Sequence, residues 1–248
     1  MTEAVLFTTT RITTFLGPQT LTNASGFFFE REGRLHLVTS RHVVIDEPSK
    51  HFPDRIEIEL HVDRNDLTRS ARYSVPLYRN SRAVWRQAAD SGGDIDVAVL
   101  ELDRRYLPDP CVFNAFTPAH LQRALDEIGI GSALSVVGFP LGFHDTLHHL
   151  PVVRQGAIAS SFGVRFQGQG YFLTDARTHR GTSGAPVLMR YGNEQPLPWR
   201  LLGVHSAQMD MKNRDGSVDE SLALNCAWYA DVLLTLTEAP KPKGNRPA

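Results

Sequence analysis

The segment Ile56-Glu57-Ile58-Glu59-Leu60-His61-Val62 alternates apolar and polar side chains over seven consecutive residues. Successive side chains of a β-strand point to opposite faces of a sheet, so this period of two predicts a half-buried strand. Upstream, the apolar runs 26–30 and 35–39 flank a polar turn that contains Gly33, which predicts a β-hairpin. Similar short runs recur at residues 97–102, 133–137, 152–158, 171–174, 186–189, 201–204 and 222–228. Many short strands with frequent turns predict an all-β sandwich or barrel.

Helical signals are few. Thr117 followed by Pro118 is typical of a helix start, and apolar residues then fall on one helical face at Leu121, Leu125 and Ile128. A second apolar stretch, residues 230–238, ends before Pro240. These patterns predict a short mid-chain helix and a C-terminal helix.

The predicted domain boundary lies next to a proline-containing loop, residues 107–110. We expect one β-domain over residues 1–116 and a second over residues 117–238. Residues 239–248 hold three prolines and several charges, which predicts a disordered tail.

Composition excludes several classes of protein. The chain has 248 residues, 42% of them hydrophobic and 21% charged, which is an ordinary globular composition. A formal net charge of −1 removes the main electrostatic argument for a nucleic-acid partner. The sequence has no apolar run long enough for a membrane span and no secretory signal pattern, so we expect a cytoplasmic protein without a membrane partner. Two cysteines, Cys111 and Cys226, are too few for a disulfide framework or a Cys-rich zinc site.

Three short motifs carry candidate chemistry. His42 follows an apolar strand, Asp96 directly precedes another, and Ser183 stands in Gly181-Thr182-Ser183-Gly184. A serine hydroxyl needs a base within hydrogen-bond reach to act as a nucleophile, and the base needs a carboxylate to hold its tautomer. The N–H groups of Gly181 and Ser183 could hold the oxyanion, because a glycine allows close backbone approach. This chemistry requires neither a cofactor nor a metal.

Each motif alone has an ordinary structural interpretation. A histidine after a strand usually packs in the core or at the surface, an Asp-Val-Ala-Val segment is usually a strand start, and a glycine-flanked serine is usually a turn. The conjunction favours function, because all three occur in the order His, Asp, Ser in a chain that is predicted to be all-β. An α/β-hydrolase would need the order Ser, Asp, His and a Gly-x-Ser-x-Gly elbow, and this chain has neither.

At these motifs the chain resembles the chymotrypsin-fold serine peptidases, in particular their trypsin-like, HtrA-like bacterial branch. The resemblance spans about residues 20–230 and implies two perpendicular six-stranded β-barrels, with His42 and Asp96 on the first and Ser183 on the second. It favours Asp96 over its neighbour Asp94, which is the alternative. Ser206 matches the family's polar residue beside the buried aspartate. Thr182 stands where zymogen-activated members carry an aspartate, which argues against activation by N-terminal cleavage.

The resemblance also suggests a specificity pocket. Its walls would come from the stretch before the nucleophile and from the strand after Leu202, which supply Arg177, Thr178, His205 and Ser206 as candidate substrate-binding residues. Thr178 and His205 look like the hydroxyl and imidazole pair of peptidases that cut after Glu or Gln, because both groups can donate to a side-chain oxygen. Arg177, expected near the pocket floor, would repel Lys or Arg. The other interpretation of His205 is a core histidine that meets no substrate.

The expected partner is a protein or peptide substrate, with a regulatory protein partner as a further expectation. The alternative function is a catalytically silent peptide-binding module with the same fold. His144, His148 and His149 form the densest histidine cluster, and we expect a solvated loop there because Gly142 and the β context disfavour a metal-binding helix.

Overall fold

The computed structural model describes residues 2–122, 128–192, 197–208 and 223–239. The first half of the chain forms eleven strands: β1 Thr9–Leu16, β2 Gln19–Arg31, β3 Arg34–Thr39, β4 Arg55–His61, β5 Ser70–Pro76, β6 Tyr78–Arg79, β7 Arg82–Ala83, β8 Trp85–Arg86, β9 Ala89–Asp90, β10 Gly93–Asp94 and β11 Ala98–Leu102. The second half forms β12 Ala133–Gly138, β13 Val152–Ala157, β14 Tyr171–Thr174, β15 Pro186–Arg190, β16 Trp199–Gln208 and β17 Asn225–Tyr229.

Helices are short. The α-helices are α1 Arg41–Val44 and α2 Val232–Leu236, and the 3-10 helices are Ala4–Thr8, Arg104–Tyr106, Pro118–His120, Pro140–Gly142 and Phe166–Gly168. No helix in the described ranges combines the length and the apolar surface needed to cross a membrane. The predicted all-β class is therefore confirmed, and α2 lies where the C-terminal helix was expected.

Two antiparallel sheets organise the strands. The first has the order β5-β4-β1-β2-β3-β11-β8, so the two-residue strand β8 adds a seventh member to six strands of at least five residues. The second has the order β13-β12-β15-β16-β17-β14. A bridge between Ile158, just after β13, and Thr174, at the end of β14, joins the two edge strands of this second sheet. Such closure leaves no free edge, as in a barrel.

Two of the three hydrophobic clusters each pack against the strands of one sheet. One surrounds Phe28 and Leu37 in the first sheet, and another surrounds Phe172 and Val187 in the second. The third cluster, called here the shared cluster, takes residues from both sheets and from α2. Its members include Phe27, Phe29, Phe116, Leu188, Trp228 and Leu233. The shared cluster fixes the two sheets against each other and thereby the groups at their junction.

The mid-chain helix differs from the expectation. The 3-10 helix Pro118–His120 ends where an α-helix should have continued. Leu121 is extended and pairs with Leu201 of β16, so its side chain is buried by a strand contact instead of a helix face. Leu125 and residues 240–248 of the expected tail lie outside the described residues.

Candidate active site

His42 and Asp96 meet at the end of the first sheet. His42 lies on α1, directly after β3, and Asp96 lies between β10 and β11, which pairs with β3. The Nδ1 of His42 is 2.7 Å from Oδ2 of Asp96, and the backbone N–H of His42 donates to Oδ1 at 2.8 Å. Asp96 therefore holds both the ring and the backbone of His42, which fixes the ring with Nε2 directed away from the carboxylate.

The carboxylate sets the basicity of the imidazole. Burial lowers the pKa of His42, but the hydrogen bond and the negative charge of Asp96 together outweigh burial, and the net pKa is raised. The raised pKa means that the site stabilises the imidazolium that forms when His42 accepts a proton. The pair has the chemistry of a general base with an orienting carboxylate.

Ser206 links this pair to the serine loop. Its hydroxyl donates to Oδ2 of Asp96, and its backbone carbonyl accepts the hydroxyl of Ser183 at 3.0 Å. Within the described residues, the Ser183 hydroxyl makes no hydrogen bond to His42. Proton transfer to His42 therefore requires the hydroxyl to turn away from the Ser206 carbonyl.

The loop around Ser183 presents two backbone donors. The Arg180 carbonyl accepts from Leu141 N–H at 2.5 Å, and the Thr182 carbonyl accepts from Ala185 N–H at 2.9 Å. In a trans peptide the N–H points opposite to the carbonyl, so these contacts aim the N–H groups of Gly181 and Ser183 away from those partners. Neither N–H donates to another described residue. Gly181 adopts φ +90°, which favours glycine, and a Cβ there would lie 2.6 Å from the Phe139 carbonyl.

A cleft of about 720 Å³ opens beside His42 and Gly181. Its lining includes Leu16 at the end of β1, residues 19–24 of β2, and Asp46 and residues 49–52 after α1. The cleft is open to solvent, and His42 lies in its wall.

The alternative carboxylate, Asp94, does not reach His42. It is exposed on β10, where its backbone pairs with Ala89 in a two-residue hairpin. The short distance from Asp96 to His42 is thus not reproduced by its neighbour.

The candidate pocket residues are placed differently from one another. Thr178 and His205 are buried, with 1% and 2% of their surface exposed, whereas Arg177 is exposed and its carbonyl accepts from Arg154 Nε at 2.8 Å. The position of the Arg177 side chain near a pocket floor stays a prediction. Ser206 faces Asp96, so its hydroxyl supports the carboxylate.

Asn225 is a pocket neighbour that the sequence analysis missed. Its Oδ1 accepts the Thr178 hydroxyl at 2.7 Å, and its Nδ2 donates to the Ala176 carbonyl at 2.6 Å. The only sequence signal is a polar residue inside the apolar run 222–228. Asn225 therefore orients the Thr178 hydroxyl in the free protein.

His205 is a buried neutral imidazole. Burial, with a smaller contribution from the charge of His42, lowers the pKa of His205 to about 4. Its Nδ1 has no hydrogen-bond partner among the described residues. His205 is therefore neutral at pH 7 and takes up a proton only near pH 4.

The histidine cluster lies in a loop. His144 Nδ1 contacts the Gly142 carbonyl at 2.6 Å, and His148 Nδ1 contacts Asp145 Oδ2 at 2.8 Å. No group of three or more His, Cys, Asp or Glu side chains in the described part of the chain is arranged to hold a metal ion.

A family model described as a trypsin-like peptidase domain matches residues 24–193. Among solved structures, the HtrA-type protease AlgW with a tripeptide is similar, with a TM-score of 0.54 and 17% identity over 93% of this chain. A serine endoprotease from Yersinia pestis gives a TM-score of 0.53 and 15% identity, also over 93% of this chain. The matched regions cover 58% and 61% of those two chains. No curated protein matches this sequence. These structures share the chymotrypsin-like all-β fold that the sequence predicted.

Proposed function

The chain belongs to the trypsin-like peptidase domain family, and we propose that it is a serine endopeptidase acting through His42, Asp96 and Ser183. The observation that carries the proposal is the 2.7 Å contact of His42 with Asp96, joined to Ser183 through Ser206. This spacing suits a base whose far nitrogen accepts the serine proton.

The proposed reaction follows the ordinary acyl-transfer sequence. The Ser183 hydroxyl turns to His42, loses its proton to Nε2 and attacks the scissile carbonyl. The N–H groups of Gly181 and Ser183 stabilise the oxyanion, and they need little reorganisation because their peptides are already held. His42 then protonates the leaving amine, and water hydrolyses the acyl-enzyme by the same route. Asp96 orients the ring and stabilises its charged form.

Fluorophosphonate labelling tests this proposal. We expect the wild-type chain to carry the label on Ser183, and Ser183→Ala to lower turnover by about six orders of magnitude with folding intact. Ser161→Ala, which removes an exposed serine hydroxyl remote from His42, is the matched control and should label and cleave normally. Cleavage by Ser183→Ala at the wild-type rate would contradict the proposal.

The second candidate function is a silent peptide-binding module. The orientation of the Ser183 hydroxyl toward the Ser206 carbonyl favours it, because a serine in that state is not poised for attack. A silent module would bind peptides in the cleft beside His42 without taking up the fluorophosphonate label. The labelling experiment therefore separates the two candidates.

We further propose that the peptidase cleaves after Glu or Gln, with Thr178 and His205 contacting that side chain. Because His205 is neutral at pH 7, its N–H can donate to a carboxamide or a carboxylate oxygen without the full attraction of a positive charge. A site that hydrogen-bonds a polar side chain can reject an analogue without it by roughly four orders of magnitude. The cytoplasmic location and a regulatory protein partner stay predictions of the sequence.

A peptide library measures this preference. We expect cleavage after Glu and Gln, with a ratio of Glu to Gln that changes little between about pH 6 and 9, because His205 stays neutral over that range. His42 titrates at higher pH and affects both substrates equally, so the ratio of the two rates is the informative quantity. Dominant cleavage after Lys, Arg or a large aromatic residue would refute this pocket and leave the catalytic proposal standing.

A further inference from the structure

Ser25 is a fully buried serine on β2 that contacts the loop carrying Ser183, residues 181–184, called here the nucleophile loop. Its backbone N–H donates to the Ser183 carbonyl at 2.9 Å, and its Oγ donates to the Gly181 carbonyl at 2.8 Å. The same Oγ accepts the N–H of Phe139 at 3.0 Å. One residue of the first sheet thus holds two separate segments of the second half of the chain.

These two segments shape the candidate oxyanion hole. The peptide between Gly181 and Thr182, whose carbonyl Ser25 holds, lies between the two peptides that carry the proposed oxyanion donors. Phe139 stands two residues before Leu141, whose N–H fixes the Arg180 carbonyl. Gly181 has φ +90° and no side chain to restrict its rotation, so its peptide depends on hydrogen bonds for its orientation. The Ser25 hydroxyl supplies one such bond directly and supports a second through Phe139.

The packing around Ser25 reserves space for these contacts. A Cβ on Gly138 would lie 2.8 Å from the Ser25 hydroxyl, and a Cβ on Gly184 would lie 2.3 Å from the Ser25 carbonyl. Thr39, also fully buried, donates its hydroxyl to that carbonyl at 2.8 Å. The Ser25 side chain is therefore confined to one position, and both of its hydrogen bonds are made inside the protein, away from water.

We infer that Ser25 is a positioning residue for the oxyanion hole, an inference that rests on the proposed peptidase function. Ser25 touches no substrate. It holds the Gly181–Thr182 peptide so that the flanking N–H groups of Gly181 and Ser183 converge before substrate arrives. Such preorganisation acts on the developing charge and not on substrate binding, so its loss lowers kcat more than it raises KM.

The test compares Ser25→Ala with the wild-type full chain. We expect Ser25→Ala to lower kcat by about 10- to 100-fold, with KM changed less than about twofold. The inhibition constant of a peptide aldehyde, whose adduct places an oxyanion in the hole, should rise by the same factor as kcat falls. Ser25→Cys, close in size but a weaker donor, should change both quantities in the same direction and provides the test if the alanine variant does not fold.

Thr8→Val is the matched control. It also removes a buried hydroxyl that donates to a carbonyl, that of Val5 at 2.7 Å, but far from Ser183. Thr8→Val should lower the melting temperature and keep wild-type kcat and aldehyde affinity. A folded Ser25 variant with wild-type kcat, or an equal loss of kcat in Thr8→Val, would overturn the inference. A wild-type chain that neither labels with fluorophosphonate nor cleaves peptides would instead be a failure of the proposed function.

Discussion

In the proposed mechanism, Asp96 determines whether His42 can act as a base. Its two carboxylate oxygens accept from the ring and from the backbone of His42, and a third donor, the Ser206 hydroxyl, also points at it. An amide in this position could keep the shape of the contact, but it would present an N–H to the histidine and favour the wrong tautomer. The charge of Asp96, not only its shape, is therefore required.

Asp96→Asn is expected to lower kcat by about four orders of magnitude with little change in folding. The acid limb of the pH profile for kcat/KM should also move to lower pH. Activity rises as His42 loses its proton. Without Asp96, the lowering effect of burial on the pKa of His42 is larger than the raising effect of the charge of Asp46. Steady-state kinetics between pH 5 and 9 measure both effects.

Asp94→Asn is the control for that substitution, because Asp94 is exposed two residues away and does not contact His42. It should leave kcat and the pH profile close to wild type. A large loss from Asp94→Asn, with Asp96→Asn nearly active, would reverse the assignment of the carboxylate.

How far sequence predicts this site depends on how local the signal is. His42, Asp96 and Ser183 each stand in a short motif, and the structure brings His42 and Asp96 into contact. The role of Ser25 could not be predicted, because the partners of its side chain lie 114 and 156 residues away and nothing in Ala24-Ser25-Gly26 indicates them. The acidity of His205 likewise depends on burial by distant strands, which no local pattern records.

At the level of elements, the strand pattern was the most reliable part of the sequence. The alternation at residues 56–62 becomes β4, whose apolar side chains Ile56, Ile58 and Leu60 are buried while Glu57 and Glu59 stay partly exposed. The prediction of a mid-chain α-helix was wrong, because Thr117 and Pro118 indicate only where a helix begins and not how far it continues. Burial of Leu121, the first apolar residue after this start, does not need a helix, because Leu121 is buried by pairing with Leu201 of a neighbouring strand. Local propensity cannot distinguish a helix from an extended segment at Leu121, because the outcome depends on a partner 80 residues further along the chain.

Glycine 184 joins the nucleophile loop to the first sheet and provides a prediction at this scale. It adopts φ +83°, and an added Cβ would lie 2.2 Å from the Thr39 hydroxyl oxygen. Gly184→Ala should therefore lower the free energy of unfolding by about 3 kcal/mol or more, the sum of left-handed strain and overpacking. Urea denaturation monitored by intrinsic fluorescence measures the change.

Gly33→Ala is its matched control. Gly33 has a similar φ of +73°, but a Cβ there would meet no atom within 4 Å. This variant should show only the cost of the left-handed conformation, about 1 kcal/mol. Equal losses in the two variants would show that the close approach at Thr39 contributes nothing.

For the molecule as a whole, buried histidines make stability depend on pH. His36 on β3 is 1% exposed, and both of its ring nitrogens lack hydrogen-bond partners within the described residues. Burial and the nearby charge of Arg34 lower its pKa, and burial lowers the pKa of His205 to about 4. In the unfolded chain both histidines take up protons near pH 6.5. The free energy of unfolding therefore decreases as the pH falls below that value.

His36→Leu should reduce this acid sensitivity. In the wild-type chain we expect the free energy of unfolding to fall steadily from pH 7 to pH 4, with His205 alone contributing about 3 kcal/mol. The leucine variant removes one titrating group and leaves no unpaired polar atom, so its stability should fall less over the same range. Urea titrations at pH 7 and pH 5 provide the comparison, and an unchanged difference between the two pH values would refute the role of His36.

Because of the shared cluster, the two halves of the molecule are expected to unfold together. Phe27 and Phe29 of the first sheet and Leu188 and Trp228 of the second are buried in the same layer, so neither half keeps its apolar surface covered without the other. His42 and Asp96 lie on one half, and Ser183 lies on the other. A molecule that is partly unfolded therefore loses the arrangement of these three residues together with its tertiary structure. No half-folded species therefore keeps the three proposed catalytic residues assembled.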